Sequence, residues 1–598
     1  MKLTLVALLS LSLLPSLAAQ NGTPAAPPDE TPSARVTRTS PQEKQLEEIR
    51  AQLAEQQRVI RLQQEQIEKL QKQLQQSSAS IEEQSRQLQS AIDQLHEKTA
   101  DSQQNTETAL AAIKANDAET TKQVETSGEK IKALESPTAL HFKGITLTPG
   151  GFLTADTLYR SRNENADASS SFSGIPYGGT ANANLSEFRE TSRVSRLSLL
   201  GEGKAGSLKL SSYFEIDFMA QAPTANQVET NAFSPRIRQG WLQAEMANGW
   251  TFSAGQFWSL ITTDRKGIAL RGEFIPNVME ASYIIGYDYV RQTALRITKK
   301  SASGEWTSAF EVANPETTYK ASYIPGGTNS AGQPVNIFGL NNSTNATSPT
   351  GSTIGYLSGS SNGFSTNLMP DLLGKVSYDP KWGHYEVKAL LRVFRDRTDP
   401  TGAATGTGLP TTAQTNVSTG FGLGFGAILP VVAKKVDFIV EGLGGAGIGR
   451  YGAGQSPDVT LRPDGALVPL HEYHMLAGFE FHPTPKLDIF TFGGDEYTKR
   501  ASYVNPLTGG AAGYGSPLVT AAVAKAATTE VGYSDGLFNK NLWETTLGFW
   551  YRFYKGPVGT LQYGLQYEFL TRSTWSTLGG APKGRVNVAF ASFRYILP

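Results

Sequence analysis

Residues 208–218 read Leu208-Lys209-Leu210-Ser211-Ser212-Tyr213-Phe214-Glu215-Ile216-Asp217-Phe218. Successive side chains of an extended chain point to opposite faces. Leu208, Leu210, Phe214, Ile216 and Phe218 therefore share one face, and Lys209, Ser211, Tyr213, Glu215 and Asp217 the other. A period of two sustained in this way marks a strand between an apolar and a wet environment. Trp250-Phe252-Ala254, Tyr385-Val387-Ala389-Leu391-Val393 and Val588-Phe590 repeat the pattern.

Short connections punctuate the same part of the chain: Glu202-Gly203-Lys204-Ala205-Gly206, Asn248-Gly249, Ser301 to Gly304, Asp379-Pro380-Lys381-Trp382-Gly383, Ala433-Lys434-Lys435, Pro483-Thr484-Pro485 and Gly556-Pro557. Between them lie long stretches rich in Gly, Ser, Asn and Thr, including 314–368 and 496–540. Short turns alternating with long loops is the connectivity of a transmembrane barrel, with the turns periplasmic and the loops outside. Seven turns separate eight hairpins, so residues 141–598 are expected to form an all-β transmembrane barrel of sixteen antiparallel strands. The soluble alternatives are a propeller or an array of β-sandwiches. A propeller asks for a blade repeat of ~40–50 residues, which the sequence lacks, and the connection lengths are asymmetric.

The N-terminal part follows different rules. Lys2, an apolar run from Leu3 to Leu14, and the exit Ser16-Leu17-Ala18-Ala19 form a secretory signal over residues 1–19. The run is too short for a spanning helix, which needs ~20 apolar residues. Residues 20–41 are a Pro/Ser/Thr-rich linker. From Gln42 the pattern changes: Leu46, Leu53, Ile60, Ile67, Leu74, Ile81, Leu88 and Leu95 recur at seven-residue steps, with no Gly or Pro from 42 to 98. Such a heptad is the core of an α-helical coiled coil, expected in the periplasm over 42–135 and strongest over 42–98. With those residues at a, the d positions include Gln56, Gln63, Ser77 and Gln84. Polar layers of that kind weaken a coiled coil but help set its register. The aliphatic seam implies self-association and leaves the number of helices open.

The chain has 598 residues, 54 basic and 54 acidic side chains and no cysteine. Without a basic surplus a nucleic-acid partner is not expected; without cysteine there is no disulfide framework, thiolate metal site or thiol nucleophile. A mean hydropathy of −0.29 with 18% charged residues fits neither a helical membrane bundle nor a highly charged disordered chain. The neutrality hides a division. Residues 1–140 hold 15 basic and 19 acidic groups, leaving 39 and 35 for the barrel.

Arginine is concentrated early in the barrel, at 189, 193, 196, 236, 238, 265, 271, 291 and 296, against lysine only at 204, 209 and 266. Sixteen strands leave an aqueous channel, which selects by charge and size, and a guanidinium fork matches two carboxylate oxygens. Arg236 and Arg238 share a strand face, as do Lys388 and Arg392. A cation facing lipid at the midplane costs ~2–4 kcal/mol, so these faces should turn to the lumen. The pore-lining, anion-selective candidates are Arg196, Arg236, Arg238, Arg296, Lys388 and Arg392. Barrel arginines also serve simply as partners of Glu and Asp, and that reading stays open. Arg291 and Arg296 differ in parity and cannot share a face without a bulge. Residues 260–285 form the third external loop, which in large porins often narrows the pore; Arg265, Lys266 and Arg271 are its constriction candidates.

No enzyme motif survives inspection. His471 and His474 are three apart, which on a strand turns the rings to opposite faces, whereas zinc needs convergent ligands; they are expected at a surface or interface. Gly442 to Tyr451 is glycine-rich but lacks the Gly-Lys-Ser/Thr ending of a phosphate loop. No catalytic residue, cofactor or metal is expected.

The sequence resembles the DcaP-like trimeric outer-membrane porins. The resemblance runs through Gly150-Gly-Phe-Leu153, Ser195-Arg-Leu-Ser-Leu199, Arg236-Ile-Arg238, Ala254-Gly-Gln-Phe-Trp-Ser259, Arg291-Gln292 with Leu295-Arg-Ile297, Pro370-Asp-Leu372, Asp379-Pro-Lys-Trp-Gly-His384 and Gly447-Ile-Gly-Arg-Tyr451, in chain order. It implies a homotrimer of sixteen-stranded barrels in the outer-membrane lipid, with a periplasmic coiled coil, taking up small anionic solutes, notably dicarboxylates. The loops 314–368 and 496–540 are unusual for it. Two functions follow: a passive porin biased toward organic anions, or a structural envelope protein whose coiled coil tethers or spaces the outer membrane from the cell wall.

Overall fold

The computed structural model describes residues 139–164, 166–220, 234–321, 335–338, 365–400, 412–506, 509–520 and 538–598. The signal, the linker and the whole heptad, Leu46 to Leu95 included, lie outside the described residues.

Sixteen strands form the wall, labelled in chain order: β1 (Ile145–Arg160), β2 (Glu187–Thr191 and Arg196–Ala205), β3 (Leu208–Ala220), β4 (Ser234–Glu245), β5 (Trp250–Trp258), β6 (Arg291–Lys300), β7 (Trp306–Ala313), β8 (Asp371–Tyr378), β9 (His384–Pro400), β10 (Gln414–Val432), β11 (Val436–Ala446), β12 (His471–Thr484), β13 (Leu487–Thr498), β14 (Asn539–Gly556), β15 (Gly559–Thr574) and β16 (Lys583–Ile596). Each pairs antiparallel with the next, and β1 closes the ring on β16 from Phe152 opposite Ile596 to Arg160 opposite Val588. β2 is one strand interrupted at residues 192–195; both pieces pair with β1. The break is occupied by Ser195, whose hydroxyl accepts from the Thr154 amide at 3.0 Å. All the short turns expected from the sequence join neighbouring strands at one end.

The sidedness is that of a barrel in lipid. On β14 Leu547 is 55% exposed and faces outward while Glu544 and Thr546 are fully buried; on β10 the outward Leu423 is 64% exposed. Charged groups inside and aliphatic groups outside is a soluble core inverted, as a closed sheet in hydrocarbon requires. Aromatic pairs gather near the short-turn end, including Trp306 with Tyr378 at 4.4 Å and Trp382 with Tyr385 at 4.6 Å between ring centroids. They mark an interfacial girdle.

Two details differ from expectation. Val588 and Phe590 are buried inside the barrel, where they join Ile175, Phe274, Met279 and Trp550 in one apolar cluster. Their strand is inverted because loops enter the lumen and bring an apolar core with them. His474 is likewise buried, its Nδ1 2.7 Å from Asp288 Oδ1, while His471 stays exposed. The rings do point apart, but one of them meets the inserted loop.

Candidate functional site

The loop of residues 259–290, between β5 and β6, crosses the lumen. Its placement is decided by backbone amides meeting carboxylates on the far wall. Asp264 N donates to Glu386 Oε2 at 3.1 Å, Ile285 N to Glu544 Oε2 at 2.9 Å, Gly286 N to Glu496 Oε1 at 2.9 Å and Asp288 N to Glu441 Oε1 at 3.1 Å. These amides have no ladder partner, and a buried N–H left unpaired is costly. Charged acceptors strengthen such bonds. Close approach is possible because Gly286 has φ +86° and a Cβ there would sit 2.1 Å from the Met475 carbonyl oxygen; a Cβ on Gly494 would sit 1.6 Å from that of Ile285.

The candidates divide into two groups around this loop. On the β6–β9 side the cations are consumed by structure. Arg296 pairs with Glu311 at 2.7 Å. Lys388 lies 3.4 Å from Glu386 and 3.6 Å from Glu441 and donates to Thr263 Oγ1 at 2.8 Å. Arg392 bridges Asp371 at 3.2 Å and Asp458. All of these cations are buried. Lys375, which sequence reasoning passed over, is held between Asp264 at 2.7 Å and Glu386 at 3.1 Å.

The wall from β16 through β4, together with the start of β6, is different. Arg236 grips Asp217 with two bonds of 3.0 and 2.9 Å and is 42% exposed. Arg238 is buried and reaches Glu215 at 2.7 Å, Asp217 at 2.8 Å and the Tyr283 hydroxyl at 3.0 Å. A register shift in β3–β4 lets both arginines reach one aspartate. Arg196 and Arg594 flank the Phe152 ring, 5.3 and 4.9 Å from its centroid. Arg291 stacks 5.1 Å from the Trp258 ring, which lies 5.8 Å from that of Tyr283. Arg196 Nε, Arg291 Nη1 and Arg594 Nε have no acceptor among the described residues. Five guanidinium groups thus meet three carboxylates: Glu215 and Asp217 on Arg238, and Asp156, whose charge acts on Arg594. Tyr283 reports the resulting field: burial pushes its phenol up, but Arg238, Arg196 and Arg291 outweigh that and pull it down to about 8.

The constriction-loop candidates separate as well. Arg265, 43% exposed, pairs with Glu480 at 2.9 Å; Lys266 is exposed; Arg271, at φ +67°, lays its guanidinium 4.6 Å from the Tyr213 centroid. Arg594 was missed because it lies at the far end of the sequence from Arg196, and only closure of β16 on β1 makes them neighbours. Arg291 was set aside on parity, yet it stands opposite Trp258 at the start of β6 and lies over that ring, which the inserted loop covers with Tyr283.

Neither a protein-family model nor a curated protein matches this chain. Among solved structures, the outer membrane channel DcaP of Acinetobacter baumannii superposes with a TM-score of 0.51 at 15% identity, covering 77% of this chain and 100% of that one. An anion-selective porin from Comamonas acidovorans gives 0.38 at 10% identity, with 76% and 100% covered. Pseudomonas putida OprB gives 0.38 at 10%, with 75% and 94% covered. The latter two scores are too low to carry weight. The likeness to DcaP concerns the fold: this chain is a closed sixteen-stranded antiparallel barrel with the architecture of that channel.

Proposed function

We propose that the protein is a passive outer-membrane porin whose constriction favours small organic anions, dicarboxylates among them. The observation that carries this reading is the trio Arg196, Arg291 and Arg594 beside the inserted loop, each with a guanidinium nitrogen that has no acceptor among the described residues. Each of the three arginines is partly exposed, so the accessible part of its guanidinium can meet the carboxylate of a passing solute. The excess of two positive charges there enriches anions with no energy input. Arg236 and Arg238 contribute less net field, since each is matched by a carboxylate.

Reversal potentials across planar bilayers test it. The wild type should prefer anions. Arg196→Gln with Arg594→Gln should reduce that preference clearly while leaving the barrel folded, because among the described residues no carboxylate lies within ion-pair distance of either side chain, and Asp156 keeps its hydrogen bonds from Thr154 and Ser592. A cation-preferring wild type would refute the selectivity. The heptad from Leu46 to Leu95 supports a periplasmic coiled coil through which the barrels self-associate, the trimer resting on the family resemblance alone, and it equally supports the tethering role as a second function of the same chain.

A further inference from the structure

We propose that the lumen holds a divalent transition-metal site of the zinc class, formed by Asp437 on β11 with Glu480 and His482 on β12. One ligand atom from each residue lies within 4.8 Å of the others. Asp437 and Glu480 are direct cross-strand partners and His482 follows two residues on, so the strand period aims all three side chains inward. Two carboxylates facing each other across a ladder repel, and a cation between them would relieve that repulsion. Arg265 of the inserted loop takes only Glu480 Oε2, at 2.9 Å. The other oxygen, Oε1, is buried without a hydrogen-bond partner on a residue only 2% exposed.

The histidine is prepared for the same task. Its Nδ1 lies 2.7 Å from Asp488 Oδ1, and Asp488 is in turn paired with Arg552. A carboxylate on Nδ1 places the proton there and leaves Nε2 as a lone pair, the second-shell arrangement that orients metal-bound imidazoles. Nε2 faces Asp437 Oδ2 at 3.8 Å. Both residues are partly exposed, 29% and 23%, so small rotations bring the donors to the ~2.0–2.2 Å bonds of a zinc site, with the fourth position left to water. The ion-paired groups of the cluster, Asp437, Glu480 and Asp488 against Arg265 and Arg552, sum to minus one, which suits a divalent ion. One imidazole among the ligands favours zinc-class ions over calcium or magnesium, which take oxygen alone.

The site goes beyond solute passage and does not depend on anion preference. The test is Zn²⁺ titration of the metal-stripped full-length protein in detergent by calorimetry, with Co²⁺ absorption as a spectroscopic readout. One ion should bind per chain. His482→Ala and Asp437→Asn should each lose at least about tenfold in affinity, and Asp488→Asn, which removes only the orienting carboxylate, about 10–100-fold. His471→Ala, on the outer face, should bind as the wild type does. Absence of Zn²⁺ binding, or wild-type affinity in both His482→Ala and Asp437→Asn shown to be folded by heat-modifiable mobility, would overturn the proposal.

Discussion

Tyr283 is the residue at which the inserted loop reads the charge of the opposite wall. Three arginines hold its phenol near 8, below the ordinary value of 10. Ionisation adds a negative charge beside them, so the sign is fixed: as pH rises through about 8, anion preference should fall. Tyr283→Phe should remove the part of the fall centred near pH 8 that the phenol contributes. Reversal potentials between pH 6 and 10, set to span about two units on either side of that value, check this. The same residue shows what single positions conceal. Nothing in its sequence neighbourhood, Ala281-Ser282-Tyr283-Ile284, announces a contact with Arg238, which lies 45 residues away in the chain.

At the scale of the element, the decisive unit is the loop of 259–290. Its anchors are backbone amides, which every residue has, meeting glutamates scattered over β9, β11, β13 and β14. No side-chain motif signals such an arrangement, although counting turns does place the loop third. Gly494→Ala tests the anchoring. Its Cβ would overlap the Ile285 carbonyl, so the loop must leave the β13 wall, while the ladders on either side remain. The expected result is a larger single-channel conductance and protease cleavage within 259–290, with little change in the barrel's heat-modifiable transition. Strand orientation was legible wherever the lumen is lined by charges, as on β3 and β9. It failed on β16, where Val588 and Phe590 turn inward because inserted loops offer them apolar partners.

For the whole molecule, barrel closure and chain association are separable. Every strand of the wall has both neighbours within one chain, so no edge is left for another copy to complete. Deleting residues 42–135 should therefore leave a folded barrel. Loss of trimers with loss of uptake would make the coiled coil part of porin assembly; unchanged uptake with a weakened envelope would make it a tether. Blue-native electrophoresis beside a solute-uptake assay separates the two. The sequence by itself determined the strand count, the turns and which face of most strands meets lipid, because alternation is a local property of an extended chain. Only the tertiary structure decided which charges are spent in ion pairs and which stay unmatched. Arg296, Lys388 and Arg392 look like Arg196 and Arg594 in the sequence. What separates them is the glutamates and aspartates that closure and the inserted loop bring within reach, and pairing across a closed barrel is set by distance in space, which the order of residues does not record.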